Sequence, residues 1–106
     1  MKDDFILTLT STDEEEVSRK ISKKLIEEKA CACVNIIPNM ESHFFWKKKL
    51  QKSKECLILI KSHASSYKKI ETIIKKLHNY EVPEIISIKI NQGLSEYLKW
   101  IKNETN

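Results

Sequence analysis

The chain of 106 residues holds one glycine, Gly93, and two prolines, Pro38 and Pro83. Loops that cradle phosphate groups need glycines so that the backbone can approach the anion. With a single glycine the chain builds neither a P-loop nor a dinucleotide-binding turn. Arginine is as scarce: Arg19 stands alone among 19 basic residues. Side chains that read bases or grip phosphates with two hydrogen bonds are mostly arginines. A net charge of +4 carried by lysines therefore reads as solvated surface, with no nucleic-acid partner. The three cysteines, Cys31, Cys33 and Cys56, cannot all pair internally, and they read as reduced thiols of a cytoplasmic protein. Long apolar runs are missing too. The longest strong one, Cys56 to Ile60, falls far short of a membrane span, and Met1-Lys2-Asp3-Asp4 contains no apolar signal core. No membrane partner is expected.

What is present is an ordinary globular balance, 41% hydrophobic and 32% charged, over a length that suits one domain spanning 1–106. Phe5 to Thr10 alternates, with Phe5, Leu7 and Leu9 on one face of a strand. Thr12-x-x-Glu15 reads as a capping box opening a helix, with Asp13, Glu14 and Glu16 at the positive end of its dipole. Val17, Ile21 and Leu25 form the helix's buried stripe. Cys31 to Ile37 reads as a buried strand ended by Pro38. Ser42–Trp46 and Cys56–Lys61 are strand-like around a lysine-rich turn. Tyr67, Ile70, Ile73, Ile74 and Leu77 recur at helical steps. Ile86, Ile88 and Ile90 alternate as a final core strand, and Ser95 caps a last helix carrying Leu98 and Ile101 beside Tyr97 and Trp100.

The order β-α-β-β-α-β is that of an α+β, ferredoxin-like sandwich, with two helices on one face of a four-stranded antiparallel sheet and a C-terminal helix. The stretch from Ala32 to Lys61 is too long for two strands of such a sheet. Either the strands overshoot as a long central hairpin, or a short extra strand follows a bend at Pro38. An overshooting hairpin leaves edges and aromatics, Phe44, Phe45 and Trp46, to be covered, and self-association is the simplest cover.

The chemistry-bearing residues are few. His78, Glu84, His43, His63 and the Cys31-x-Cys33 pair are candidate metal donors, since imidazole and carboxylate suit Cu²⁺ and thiolates suit Cu⁺. On a strand the two cysteines share a face, which would suit a soft metal if exposed, but they read first as small buried hydrophobes. His78 closes an amphipathic helix, where it can also serve the terminal carbonyls. Lys61, Tyr80 and Glu84 could bind a small anion or move a proton, or form a salt bridge between subunits. There is no G-x-S-x-G motif and no placed Cys-His pair, so no enzyme is expected.

Ala32-Cys33-Val34-Asn35-Ile36-Ile37-Pro38, Ser42-His43-Phe44-Phe45-Trp46 and Leu50 resemble the central signature of the CutA family, the divalent-cation tolerance proteins. Thr10-Ser11-Thr12-Asp13 resembles the turn after that family's first strand, and Tyr80-Glu81-Val82-Pro83-Glu84-Ile85-Ile86 its segment before the last. Tyr97-Leu98-Lys99-Trp100-Ile101 resembles its terminal helix. The resemblance implies a homotrimer in which one subunit's hairpin extends the next subunit's sheet, with Phe44, Phe45, Trp46 and Trp100 at the interface. It also implies copper or another divalent metal ion, with His78 and Glu84 as ligands and an inter-subunit cleft holding Lys61, Tyr80 and Glu84. Leu9 and Leu77 stand where copper-binding relatives carry a cysteine and a histidine, and Asn39 and Lys48 where glycine is frequent. Two other readings stay open: a small-molecule or signal-sensing trimer similar to PII-type proteins, and a structural trimer that binds partner proteins.

Overall fold

The computed structural model describes residues 4–105. They form β1 (Phe5–Thr12), α1 (Glu15–Glu27), β2 (Cys33–Trp46), β3 (Lys49–His63), a 3-10 turn (Ala64–Ser66), α2 (Tyr67–Leu77), β4 (Ile86–Ile90) and α3 (Ser95–Glu104). The strands make one antiparallel sheet in the order β2-β3-β1-β4, the ferredoxin-like arrangement. The hairpin overshoots rather than adding a strand: β2 and β3 run for 14 and 15 residues.

Helices α1 and α2 cover one face of the sheet. Ile21 and Leu25 of α1 and Ile70 and Ile74 of α2 meet Ile58 and Ile60 of β3 in a fully buried core. Strand residues directly opposite each other share a face. Thr8 lies opposite Ile60, Thr10 opposite Ile58 and Thr12 opposite Cys56, so the threonines of β1 point under the helices and all three are fully buried. The leucines point the other way. Leu7 and Leu9 share the second face with Leu59 of β3 and with Ile88 and Ile86 of β4. Helix α3 closes only one end of that face, where Ile101 and Phe5 are buried. Elsewhere Ile86 and Ile88 remain 50% and 51% exposed, so β4 is not a core strand of the single protomer.

Local expectations changed in three places. Thr12 ends β1 instead of capping α1: Glu14 occupies the N-cap without a side-chain cap bond, and its N–H donates to Thr12 Oγ1 at 3.2 Å. Leu94, not Ser95, precedes the first turn of α3. Pro38 does not stop β2. It sits on an edge strand, where its missing N–H costs no ladder bond, and with Asn39 it opposes the single residue Cys56 across a bulge between Ile37 and Met40.

Scarcity of glycine leaves a mark on the backbone. Lys29, Asn39, Lys47 and Lys48 all adopt positive φ, at 54°, 63°, 52° and 66°. Two successive positive values turn the hairpin, a geometry for which Asn-Gly is preferred. At the end of α1, Lys29 takes the left-handed position usual for glycine, and the Ala30 amide donates back to the Leu25 carbonyl at 3.0 Å. A lysine there carries strain of about 1–2 kcal/mol. Lys29→Gly is expected to stabilise the fold by about 0.5–1 kcal/mol, because relief of that strain outweighs the added freedom of the unfolded chain. Urea unfolding reads it as a higher midpoint at unchanged slope, and an unchanged or lower midpoint refutes it.

Candidate functional site

The end of β1 gathers the side chains that carry chemistry. The connection from α2 to β4, residues 78–85, crosses this end and is tied to it by side-chain hydrogen bonds. His78 follows α2, and its amide donates to the Ile74 carbonyl at 2.8 Å. Its ring turns to β1, where Nε2 lies 2.7 Å from the Ser11 carbonyl oxygen. A carbonyl only accepts, so Nε2 carries the proton. Nδ1 accepts the Tyr80 N–H at 3.0 Å. The imidazole is therefore the neutral Nε2–H tautomer with both nitrogens engaged.

Ser11 serves a second member of the group, its hydroxyl donating to Glu84 Oε1 at 3.4 Å. Asn79 binds the start of α1: its amide nitrogen donates to Asp13 Oδ1 at 2.9 Å and its oxygen accepts from Thr12 Oγ1 at 2.6 Å. The Tyr80 hydroxyl donates to Glu55 Oε2 at 2.5 Å. Burial first, and then the bond to the Glu55 carboxylate, hold that phenol protonated well above its ordinary range. Glu55 is itself only 7% exposed.

His78, Tyr80 and Glu84 are thus assembled at one place, and Lys61 is not among them. Lys61 lies six residues further along β3 than Glu55, roughly 20 Å away at strand spacing. Its Nζ sits 5.9 Å over the Tyr97 ring, and Tyr97 stacks on Trp100 with centroids 5.6 Å apart. Phe44, Phe45 and Trp46 occupy the far end of the hairpin, exposed, with Phe45 at 73% and its cross-strand partner Leu50 at 70%. His43 pairs locally with Glu41 at 2.7 Å, and His63 packs edge-on against Phe5.

The cysteines do not share a face. Cys31 precedes β2 and belongs to the core beneath the helices. Cys33 stands opposite Lys61 on the other side and directs its thiol to Asn35 Oδ1 at 3.6 Å. Burial, with Cys33 second, pushes the Cys31 thiol from its ordinary value near 9 up to about 12.

Among the described residues, no three His, Cys, Asp or Glu side chains converge as a metal site would require. Leu9 and Leu77 belong to opposite sides of the sheet, Leu9 on the open face and Leu77 packed against the helix-side core. Three participants were not among the candidate residues of the sequence: Ser11, which acts partly through its backbone carbonyl, Asn79 and Glu55. Their bonds span 73, 67 and 25 residues, beyond any local pattern.

A family model described as CutA1 divalent ion tolerance protein matches residues 6–104. The chain is 38% identical over 99 residues to the divalent-cation tolerance protein CutA of Thermus thermophilus, covering 93% of this chain and 96% of that protein. It is 35% identical over 100 residues to the chloroplastic protein CutA of Arabidopsis thaliana, covering 94% of this chain and 55% of that protein. It thus spans about half the length of the plant and mammalian relatives. The crystal structure of CutA from Xylella fastidiosa superposes with a TM-score of 0.94 at 32% identity, over 97% of this chain and 99% of that one.

The raised Cys31 value makes a stability statement. The buried thiol stays neutral while the unfolded one ionises, so its contribution is whole below about pH 9 and is lost as pH rises from 9 towards 12. Tyr80 acts in the same direction, so the comparison between variants isolates the cysteine. Urea unfolding across that window is expected to give a shallower decline for Cys31→Ala than for the parent protein. Parallel declines would contradict the assignment.

Proposed function

This chain belongs to the CutA1 divalent ion tolerance family, and from that premise we propose that it acts in divalent-cation tolerance as a cytoplasmic homotrimer, holding copper or another divalent ion in clefts between subunits and catalysing no reaction. The observation that carries this reading is the open face of the sheet. Ile37, Ile86 and Ile88 are exposed there beside half-buried Leu7, Leu9, Leu57 and Leu59, with α3 covering only one end. A face this apolar calls for cover. The unpaired edges of β2 and β4 call for strands. Pairing of a hairpin with a neighbour's edge, repeated around a three-fold axis, supplies both. It also offers a route by which Lys61 of one subunit could approach Tyr80 and Glu84 of the next.

The donor set points the same way. His78 and Glu84 meet through Ser11, but an ion at His78 would have to take a nitrogen from Ser11 or Tyr80. One imidazole and one carboxylate are fewer donors than Cu²⁺ or Zn²⁺ commonly uses. A metal site within one protomer does not fit, so the proposed site is shared between subunits. Exposed Phe45, Trp46 and Leu50 at the hairpin tip also suit a second reading, a scaffold trimer that binds another protein.

Sedimentation of the purified protein is expected to give three chain masses. Ile88→Glu should shift it to monomer with little loss of protomer stability, since the site is half-exposed in the protomer and such changes stay near 0.5 kcal/mol. A parent monomer, or a trimer indifferent to Ile88→Glu, overturns the trimer. Calorimetric titration of the assembled protein with Cu²⁺ and with Zn²⁺ should show saturable binding, weakened about tenfold or more in His78→Ala, which is ~1.4 kcal/mol. Absence of saturable binding would leave the scaffold reading standing.

A further inference from the structure

The outer half of the hairpin leaves the sheet at one point. There β1 ends at Thr12 opposite Cys56, and on the other side Pro38 and Asn39 bulge against that same Cys56. Beyond it, Met40–Trp46 pair with Lys49–Glu55, and among the described residues no third strand joins them. A two-stranded ribbon is marginal by itself and a bulge lets it bend, so nothing in the ladder fixes its angle to the body. Glu55 is the ribbon residue next to the bulge, opposite Met40. Among the described residues, the Tyr80–Glu55 bond is the one side-chain hydrogen bond joining the body to residues 40–55. Its donor is anchored in turn. The Tyr80 amide is held by His78 Nδ1, its ring lies 4.8 Å from the imidazole, and His78 Nε2 grips the Ser11 carbonyl of β1.

We propose that Tyr80 and Glu55 form a latch that sets the angle between hairpin and sheet, and so aligns the hairpin edges for pairing with another copy of this chain. The alignment rests on the trimer reading; the latch itself does not. A bond to a carboxylate is among the stronger hydrogen bonds of a protein. Removing the phenol hydroxyl leaves a buried carboxylate short of a partner, and the low-penalty response is for Glu55 to move towards water and carry the base of the ribbon with it. Tyr80 and Glu55 are positioning residues in this account, with His78 as the anchor behind them.

Hydrogen exchange on the full chain, followed by mass spectrometry, tests it. In Tyr80→Phe, amides of 40–54 are expected to exchange about tenfold faster, while those of β1 and α1 keep their protection. The dissociation constant of the assembly, read by sedimentation, should rise about tenfold. Glu55→Gln keeps an acceptor for the hydroxyl but loses the carboxylate's charge, and should be impaired less than Tyr80→Phe in both. Unchanged hairpin exchange in Tyr80→Phe overturns the latch. So does acceleration spread equally over β1 and α1, which marks general destabilisation, or a Glu55→Gln variant as impaired as Tyr80→Phe. If the parent protein sediments as a monomer, the trimer reading fails and the exchange measurement alone decides the latch.

Discussion

A sheet with two apolar faces and one full helix layer is the constraint from which the rest of this structure follows. On the helix side, Ile58 and Ile60 are sealed by Ile21, Leu25, Ile70 and Ile74. On the other side the sheet offers Leu7, Leu9, Leu57, Leu59, Ile86 and Ile88, and a single ten-residue helix covers one end. Solvent is a poor cover for that second face. Exposed isoleucines on β4, the unpaired edges and the aromatics of the hairpin tip are one problem seen at three places, and the proposed association with further copies would answer them together.

The same constraint explains why the polar network sits at the end of β1. Both faces of the sheet are largely apolar, and among the described residues Thr10 Oγ1 on the helix side is buried without a hydrogen-bond partner. The strand end is where loop, helix start and hairpin base converge. There Ser11, His78, Tyr80 and Glu55 form a chain of hydrogen bonds from the core strand to the ribbon. Such a chain organises geometry whether or not an ion visits it. His78 in particular is spoken for twice, by an acceptor and by a donor, which is how a structural histidine looks. A metal that used it would therefore disturb the hairpin base as well.

Much of the fold was legible in the sequence, and what was missed has physical reasons. Helical stripes such as Val17, Ile21, Leu25 and Ile70, Ile74 announce themselves because one face only is wet. Alternation in β1 misleads as to which face is the core. Phe5, Leu7 and Leu9 do share one face, as the alternation says, but Thr8, Thr10 and Thr12 are the set beneath the helices and the leucines face the open side. When both faces are destined for cover, hydropathy cannot rank them, and small β-branched threonines fit under closely packed helices. Pro38 failed as a stop signal because β2 is an edge strand. Thr12-x-x-Glu15 failed as a cap because Thr12 is still the last residue of β1 and α1 starts only at Glu15, with Glu14 at the N-cap. Of the candidate site residues, His78, Tyr80 and Glu84 lie at one end of β1 within the protomer while Lys61 lies further along β3, and a cleft between subunits is not a property that one chain's sequence pattern displays.

The separation of Lys61 from Tyr80 and Glu84 bears on how any ligand could be held. A cleft residue that serves a site within its own protomer must reach it by side-chain length, at most about 6–7 Å for lysine when four methylenes are extended. Glu84 bonds Ser11, which lies opposite Leu57, four residues from Lys61 along β3, and the roughly 13 Å this makes at strand spacing is beyond that reach. Either Lys61 has no part in the site, its role being the contact with Tyr97, or the site exists only where two subunits meet. Leu9 and Leu77 sharpen the same choice. They lie on opposite sides of one sheet, so restoring donors at both could not build a centre inside a single protomer. In the proposed trimer, the open face that calls for cover is also what would bring Lys61 of one subunit towards Tyr80 and Glu84 of the next.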